Sequence, residues 1–159
     1  MFPVIFVRRF LVAAVVLATS FSLWSAGAVA VEFPKASLVI ATGAGDVALN
    51  IEIARSAEQR GQGLMFRTAM APDAGMLFIY QTTGTINMWM KNTILSLDML
   101  FIAGDGRITR IVAHTTPMSE AVIGSRGAVR AILELNAGAA RKLGIKTGDH
   151  VDLAAFLVP

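Results

Sequence analysis

Apolar and polar residues alternate from Val47 to Ile53, with Val47, Leu49, Ile51 and Ile53 on one side and Ala48, Asn50 and Glu52 on the other. This period of two predicts a half-buried strand. Ser37 to Ala41 can pair with it across the turn from Thr42 to Asp46. Further strands are predicted over Gly75 to Tyr80, Thr85 to Met90, Asp98 to Ala103, Arg107 to His114 and Val129 to Leu135. Gly104-Asp105-Gly106 marks a hairpin, because Asp-Gly accommodates the positive φ of a tight turn. His150 to Phe156 reads as a closing strand. Two short helices interrupt the pattern. Ser56-Ala-Glu-Gln59 matches a capping box and predicts a helix from Ala57 to Gly61 or Gly63. Asn136 suits the N-cap of a second helix through Leu143, with Arg141 and Lys142 in its last turn and Gly144 just beyond. Strands at short spacing with two small helices predict a mainly β chain, a single-domain β-sandwich or barrel-like fold.

The N-terminal segment breaks this pattern. Arg8 and Arg9 precede an unbroken apolar run, Phe10 to Leu17, and Ala26-Gly-Ala28 and Ala28-Val-Ala30 offer small-x-small exits. Residues 1–30 therefore read as a signal peptide, with residues 31–159 the single β domain. The competing reading is a membrane anchor, since the uncharged stretch from Phe10 to Val31 is 22 residues long and a span needs about 20. Ser20, Ser22 and Ser25 make its second half a poor lipid-facing surface, which favours cleavage. The expected location is periplasmic or secreted, with inner-membrane anchoring by residues 10–31 as the alternative. Membrane contact would then run only through an uncleaved leader.

Without Arg8 and Arg9 the formal net charge drops from +3 to about +1. The remaining basic residues are scattered, so no nucleic-acid stripe is present. The chain has no cysteine, so an exported form relies on packing rather than disulfides.

The densest chemistry lies between Gly63 and Phe101. Gly63-Leu-Met-Phe-Arg67, Gly75-Met-Leu-Phe-Ile-Tyr80, Trp89-Met-Lys-Asn-Thr93 and Leu97-Asp98 place polar groups between strong strand formers. A polar group buried unpaired costs about 1–3 kcal/mol, so these residues need partners or a ligand. With Glu58-Gln-Arg-Gly-Gln-Gly-Leu-Met-Phe-Arg67, Asp73-Ala-Gly-Met-Leu-Phe78 and Leu133-Glu-Leu-Asn-Ala-Gly138, the blocks resemble the domain-of-unknown-function family 192. The resemblance covers roughly residues 47 to 152. It implies a single, mostly β domain that is frequently exported, and no accepted reaction. Members usually carry an aromatic just before the Trp, where this chain has Met88.

Other chemistry is thin. Only His114 and His150 could serve as imidazole ligands, and neither has a companion at metal-binding spacing. A Cu(I) site of thioethers around Met88-Trp-Met90 is conceivable, but alternating Met residues also fill cores. No Gly-x-Ser-x-Gly elbow or phosphate loop occurs. Asp98 and Glu134 could form a carboxylate pair acting on envelope carbohydrate. Glu134, between two leucines, reads as facing solvent or an arginine across the sheet.

The candidate ligand-binding residues are Trp89, Lys91, Asn92, Thr93, Asp98, Arg67 and Glu134, with no catalytic group, metal or cofactor assigned. Together they suit a polar or saccharide-like small molecule, the ring lying on C–H faces and the polar groups holding hydroxyls. The competing structural reading has Lys91 neutralising Asp98 while Asn92 and Asp98 tie down backbone amides. The expected protein is an exported, non-enzymatic binding domain; an envelope-carbohydrate enzyme and a Cu(I) binder are the alternatives.

Overall fold

A computed structural model of the protein describes residues 30–157. Its elements run β1 (Lys35–Thr42), β2 (Gly45–Ala54), α1 (Ala57–Gln62), β3 (Ala74–Met88), β4 (Leu97–Ile102), β5 (Ile108–Val112), β6 (Ile123–Asn136), α2 (Ala139–Lys142) and β7 (His150–Val151), then a 3-10 turn at Ala154–Phe156. The strands form one sheet in the order β5-β4-β6-β3-β2-β1-β7. Its two edges nearly meet: Arg107 bridges His150, and the Val151 amide donates to the Gly106 carbonyl at 2.8 Å. The molecule is therefore a nearly closed barrel of mainly β structure with two short helices. Gly106 (φ 89) permits the closure, because a Cβ there would strike the Val151 carbonyl and the His150 ring.

Strand pairs are antiparallel except β2 with β3, which run parallel and are joined by the crossover that carries α1. Two apolar clusters result. The inner one fills the barrel with Leu38, Ile40, Leu49, Ile51, Leu77, Leu100, Leu133 and their neighbours. The outer one packs Met76, Phe78, Met99, Phe101 and Ile132 beneath Leu64 and Met90 of the connecting segments. Covered on both faces, β4 has every residue buried, and apart from Asp98 all of them are apolar.

The capping box at Ser56 forms as expected, Ser56 Oγ accepting from the Gln59 amide at 3.0 Å. Four local expectations need correction. Residues 74–88 make one strand rather than two, with register shifts between Ile79 and Gly84 and between Thr85 and Asn87 where two separate strands were expected. It stops at Met88, leaving Trp89 and Met90 in the following connection. Asn136 does not cap α2: it ends β6, its amide donating to the Ala71 carbonyl at 2.9 Å, and Gly138 (φ 80) precedes the helix. The closing strand shortens to His150–Val151, because the Asp152 carboxylate accepts from the Ala154 amide and turns the chain into the 3-10 segment. The predicted leader, residues 1–30, lies outside the described residues but for Ala30.

Candidate functional site

Three connections meet on the outer face of the barrel. The Phe66 amide donates to the Asn92 carbonyl at 2.8 Å, the Met118 amide to the Thr93 carbonyl at 3.0 Å, and the Met90 amide to the Ser119 carbonyl at 2.8 Å. Phe66, Asn92 and Met118 all hold positive φ, at 64°, 54° and 61°. Such conformations are unfavourable for side chains of this size and persist where surrounding bonds impose them. The knot fixes the turn that carries Trp89 and Thr93.

Beneath it lies a cavity of about 280 Å³ lined by Arg60, Gly63, Met65, Tyr80, Asn87, Met88, Trp89, Thr93 and Glu134, among others. Gly63 (φ 46) lets the end of α1 lie against the Phe78 ring, which a Cβ would meet at 3.0 Å. Trp89 forms a wall and is 49 % exposed, whereas Thr93 is buried and its hydroxyl donates to the Lys91 carbonyl at 3.2 Å. The Tyr80 hydroxyl reaches the Met88 thioether at 3.5 Å.

Glu134 is the unusual member. It pairs with Met76 on β3 and Met99 on β4, so both flanks are apolar. The residue is 4 % exposed, and no hydrogen bond or ion pair among the described residues reaches its carboxyl. Among the described residues no fully enclosed side-chain oxygen or nitrogen lacks a partner, so the access Glu134 keeps is at its carboxyl, on the cavity it lines. Burial pushes this carboxyl up to about 8. Burial likewise pushes the Tyr80 phenol up to about 12, opposed by Arg60 and reinforced by Glu134. Both groups are therefore neutral near pH 7 and can donate hydrogen bonds into the cavity. Glu134 neither faces open solvent nor meets an arginine.

Of the residues singled out from sequence, Trp89, Thr93 and Glu134 line this one cavity. Lys91 and Asn92 support its wall: the Lys91 ammonium lies 5.3 Å from the Trp89 ring centroid, and the Asn92 amide lies 3.9 Å from the Met65 sulfur. Arg67 lies elsewhere, ion-paired with Glu52 at 2.5 Å beside a separate cavity of about 520 Å³. Asp98 is fully buried and faces the opposite way. Its carboxylate accepts from the amides of His114, Gly138 and Ala140, each at 3.0 Å. Lys91 does not neutralise it but pairs with Glu120 at 3.7 Å.

These positions dismantle two alternatives. Asp98 stands opposite Leu135, whose side chain fills the barrel, whereas Glu134 stands opposite Met99 on the outer face. The sheet separates the two carboxyls, so they cannot flank one glycosidic bond. Met90 is buried in the outer cluster and neither histidine lines the cavity, so the thioethers of Met88 and Met90 do not converge with an imidazole. Among the described residues no three His, Cys, Asp or Glu side chains could hold a metal ion.

Tyr80, Met65 and Asn87 also line the cavity but were not singled out from the sequence. A signal existed: Gly75 to Tyr80 is apolar on both faces, which implies a covered outer layer and hence cover over any charge on the adjoining strand.

Barrel, crossover helix and carboxyl-floored cavity define a class of small β domains with a recessed polar site. The chain belongs to the DUF192 family, "Uncharacterized ACR", whose pattern matches residues 39–153. No curated protein matches it. A crystallised protein of Sinorhizobium meliloti 1021, provisionally named a transcription regulator, shares 48% identity at a TM-score of 0.75, over 77% of this chain and 96% of that one. A protein of unknown function from Novosphingobium aromaticivorans DSM 12444 shares 34% at a TM-score of 0.72, over 74% and 84% respectively.

Proposed function

We propose that this is an exported cell-envelope protein whose non-enzymatic barrel binds a polar, saccharide-like molecule in the cavity between Trp89 and Glu134. The observation that carries the reading is Glu134. A purely structural carboxylate is held by donors, as Asp98 is by three amides. Glu134 has none among the described residues and opens on a recess beside a half-exposed indole. Such a group costs stability unless something completes it. Tyr80, Asn87 and Thr93 add hydroxyl and amide groups to the same lining. Export is supported by the basic pair, apolar run and small-residue exit at the N-terminus. No helix among the described residues is long and apolar enough to cross a membrane.

The chain has two tryptophans, Trp24 and Trp89. In a Trp24→Phe background, Trp89 emission therefore reports on the cavity alone. Titration with envelope-derived saccharide fragments is expected to give a saturable change, abolished by Glu134→Leu while the fold persists. Saturation that survives Glu134→Leu unchanged would place the ligand elsewhere and refute the assignment.

A further inference from the structure

The charges around the cavity restrict what can complete it. Glu134 on β6 faces Tyr80 from β3, the Arg60 side of α1, and the apolar Met99 face of β4. Two cations of the chain come near, and both are engaged elsewhere. The Arg60 guanidinium lies 5.1 Å from the Tyr80 ring centroid and donates to the carbonyls of Arg55 and Ile79. The Lys91 ammonium lies over Trp89 and pairs with Glu120. Neither is ion-paired with Glu134. The cavity thus holds one acidic group, aromatic faces, the Met65 and Met88 thioethers and, on the α1 side, the Arg60 guanidinium, which is turned to backbone carbonyls and forms no ion pair with Glu134.

We infer that the ligand carries an ammonium group, such as that of an amine-bearing sugar, which Glu134 receives at the floor while Trp89 and Tyr80 border the cationic end. This rests on the binding role proposed above and names its ligand class. A neutral hydroxyl would gain an ordinary hydrogen bond, for which a Gln or Asn floor would serve without the cost of a buried carboxyl. An ammonium gains a charge-assisted bond about twice as strong, and aromatic faces favour a cation further. A bare metal ion suits the site poorly, since the cavity holds one carboxylate and about 280 Å³ of space. Binding has a proton balance: the ammonium arrives charged, the Glu134 O–H bond breaks, and one proton leaves to solvent as the carboxylate pairs with the cation.

The test uses protein purified from cells expressing the full-length chain, titrated calorimetrically at pH 6.5 in two buffers of different ionisation enthalpy. The probes are D-glucosamine, N-acetyl-D-glucosamine, D-glucose and ethylammonium. The expected result is tightest binding of glucosamine with release of close to one proton, and a loss of about tenfold to a hundredfold in Glu134→Gln. N-acetyl-D-glucosamine binding as tightly as glucosamine, without proton release, would overturn the inference while leaving the saccharide reading intact. Ethylammonium binding with proton release while all three sugars fail would keep the ammonium site and remove the saccharide frame. Silence from all four probes would overturn both. Glu134→Gln is close in shape to the protonated acid, and its melting curve separates lost binding from lost fold.

Discussion

At the scale of single residues, Glu134 also controls how stability depends on pH. Its folded value of about 8 stands well above the ordinary 4.5, so the folded chain holds a proton that the unfolded chain has released. Its contribution is complete below about pH 4.5 and is lost as pH rises toward 8. Within that window the loss is about 1.4 kcal/mol per pH unit. Glu134→Gln cannot titrate and removes this term. Urea melts of both proteins from pH 5 to 9 are expected to diverge, the Gln variant becoming the more stable toward the alkaline end. Parallel curves would show that Glu134 has a donor in the folded protein. Trp89 and Lys91 make a weaker demand, since the ring and its ammonium are both substantially exposed and such contacts contribute on the order of 0.5–1 kcal/mol.

At the scale of elements, the two carboxylates differ because of what the elements bring to them. Asp98 ties β4 to α2 and to the His114 turn through three amide donors, so it acts as a brace between elements. Asn at this position keeps one accepting oxygen and turns an NH₂ group against an N–H. Asp98→Asn is expected to cost about 2–4 kcal/mol. Lys91→Met removes an exposed pair with Glu120 and is expected to cost less than about 1 kcal/mol. Because the two residues share no partner, the double variant should lose the sum within about 0.5 kcal/mol. Recovery in the double variant would mean that Lys91 and Asp98 meet after all. The same elements show what could be read from sequence. Alternation from Val47 to Ile53 and the Ser56 capping box are local signals, and both held. Gln81-Thr-Thr-Gly84 has the composition of a turn, but the strand runs on through it, the register with β6 shifting between Ile79 and Gly84. Trp89, Thr93 and Glu134 were legible as candidates by residue type. Asp98 was misplaced because its orientation follows from its register with β6 and the docking of α2, which no local pattern encodes. Arg67 was drawn in by nearness in sequence, yet its guanidinium pairs with Glu52 of β2.

At the scale of the whole molecule, the first described residues are tied to the barrel. The Glu32 carbonyl accepts from the Gln59 side chain at 2.8 Å, the Pro34 carbonyl from the Ile53 amide at 2.8 Å, and Arg67 lies 5.5 Å from the Phe33 ring centroid. These contacts begin immediately after the Ala28-Val-Ala30 exit, so cleavage there spares each of them. Cleavage before Val31 should therefore leave the barrel's stability unchanged, and stability must come from packing, since no cysteine is present. Full-length expression followed by N-terminal sequencing of the periplasmic fraction is expected to give a start near Val31. The periplasmic protein should melt at the same temperature as a chain made directly from residue 31. Recovery solely in membranes with Met1 intact would make residues 10–31 an anchor. The cavity proposed to bind an ammonium would then stand at the surface of the inner membrane rather than free in the periplasm.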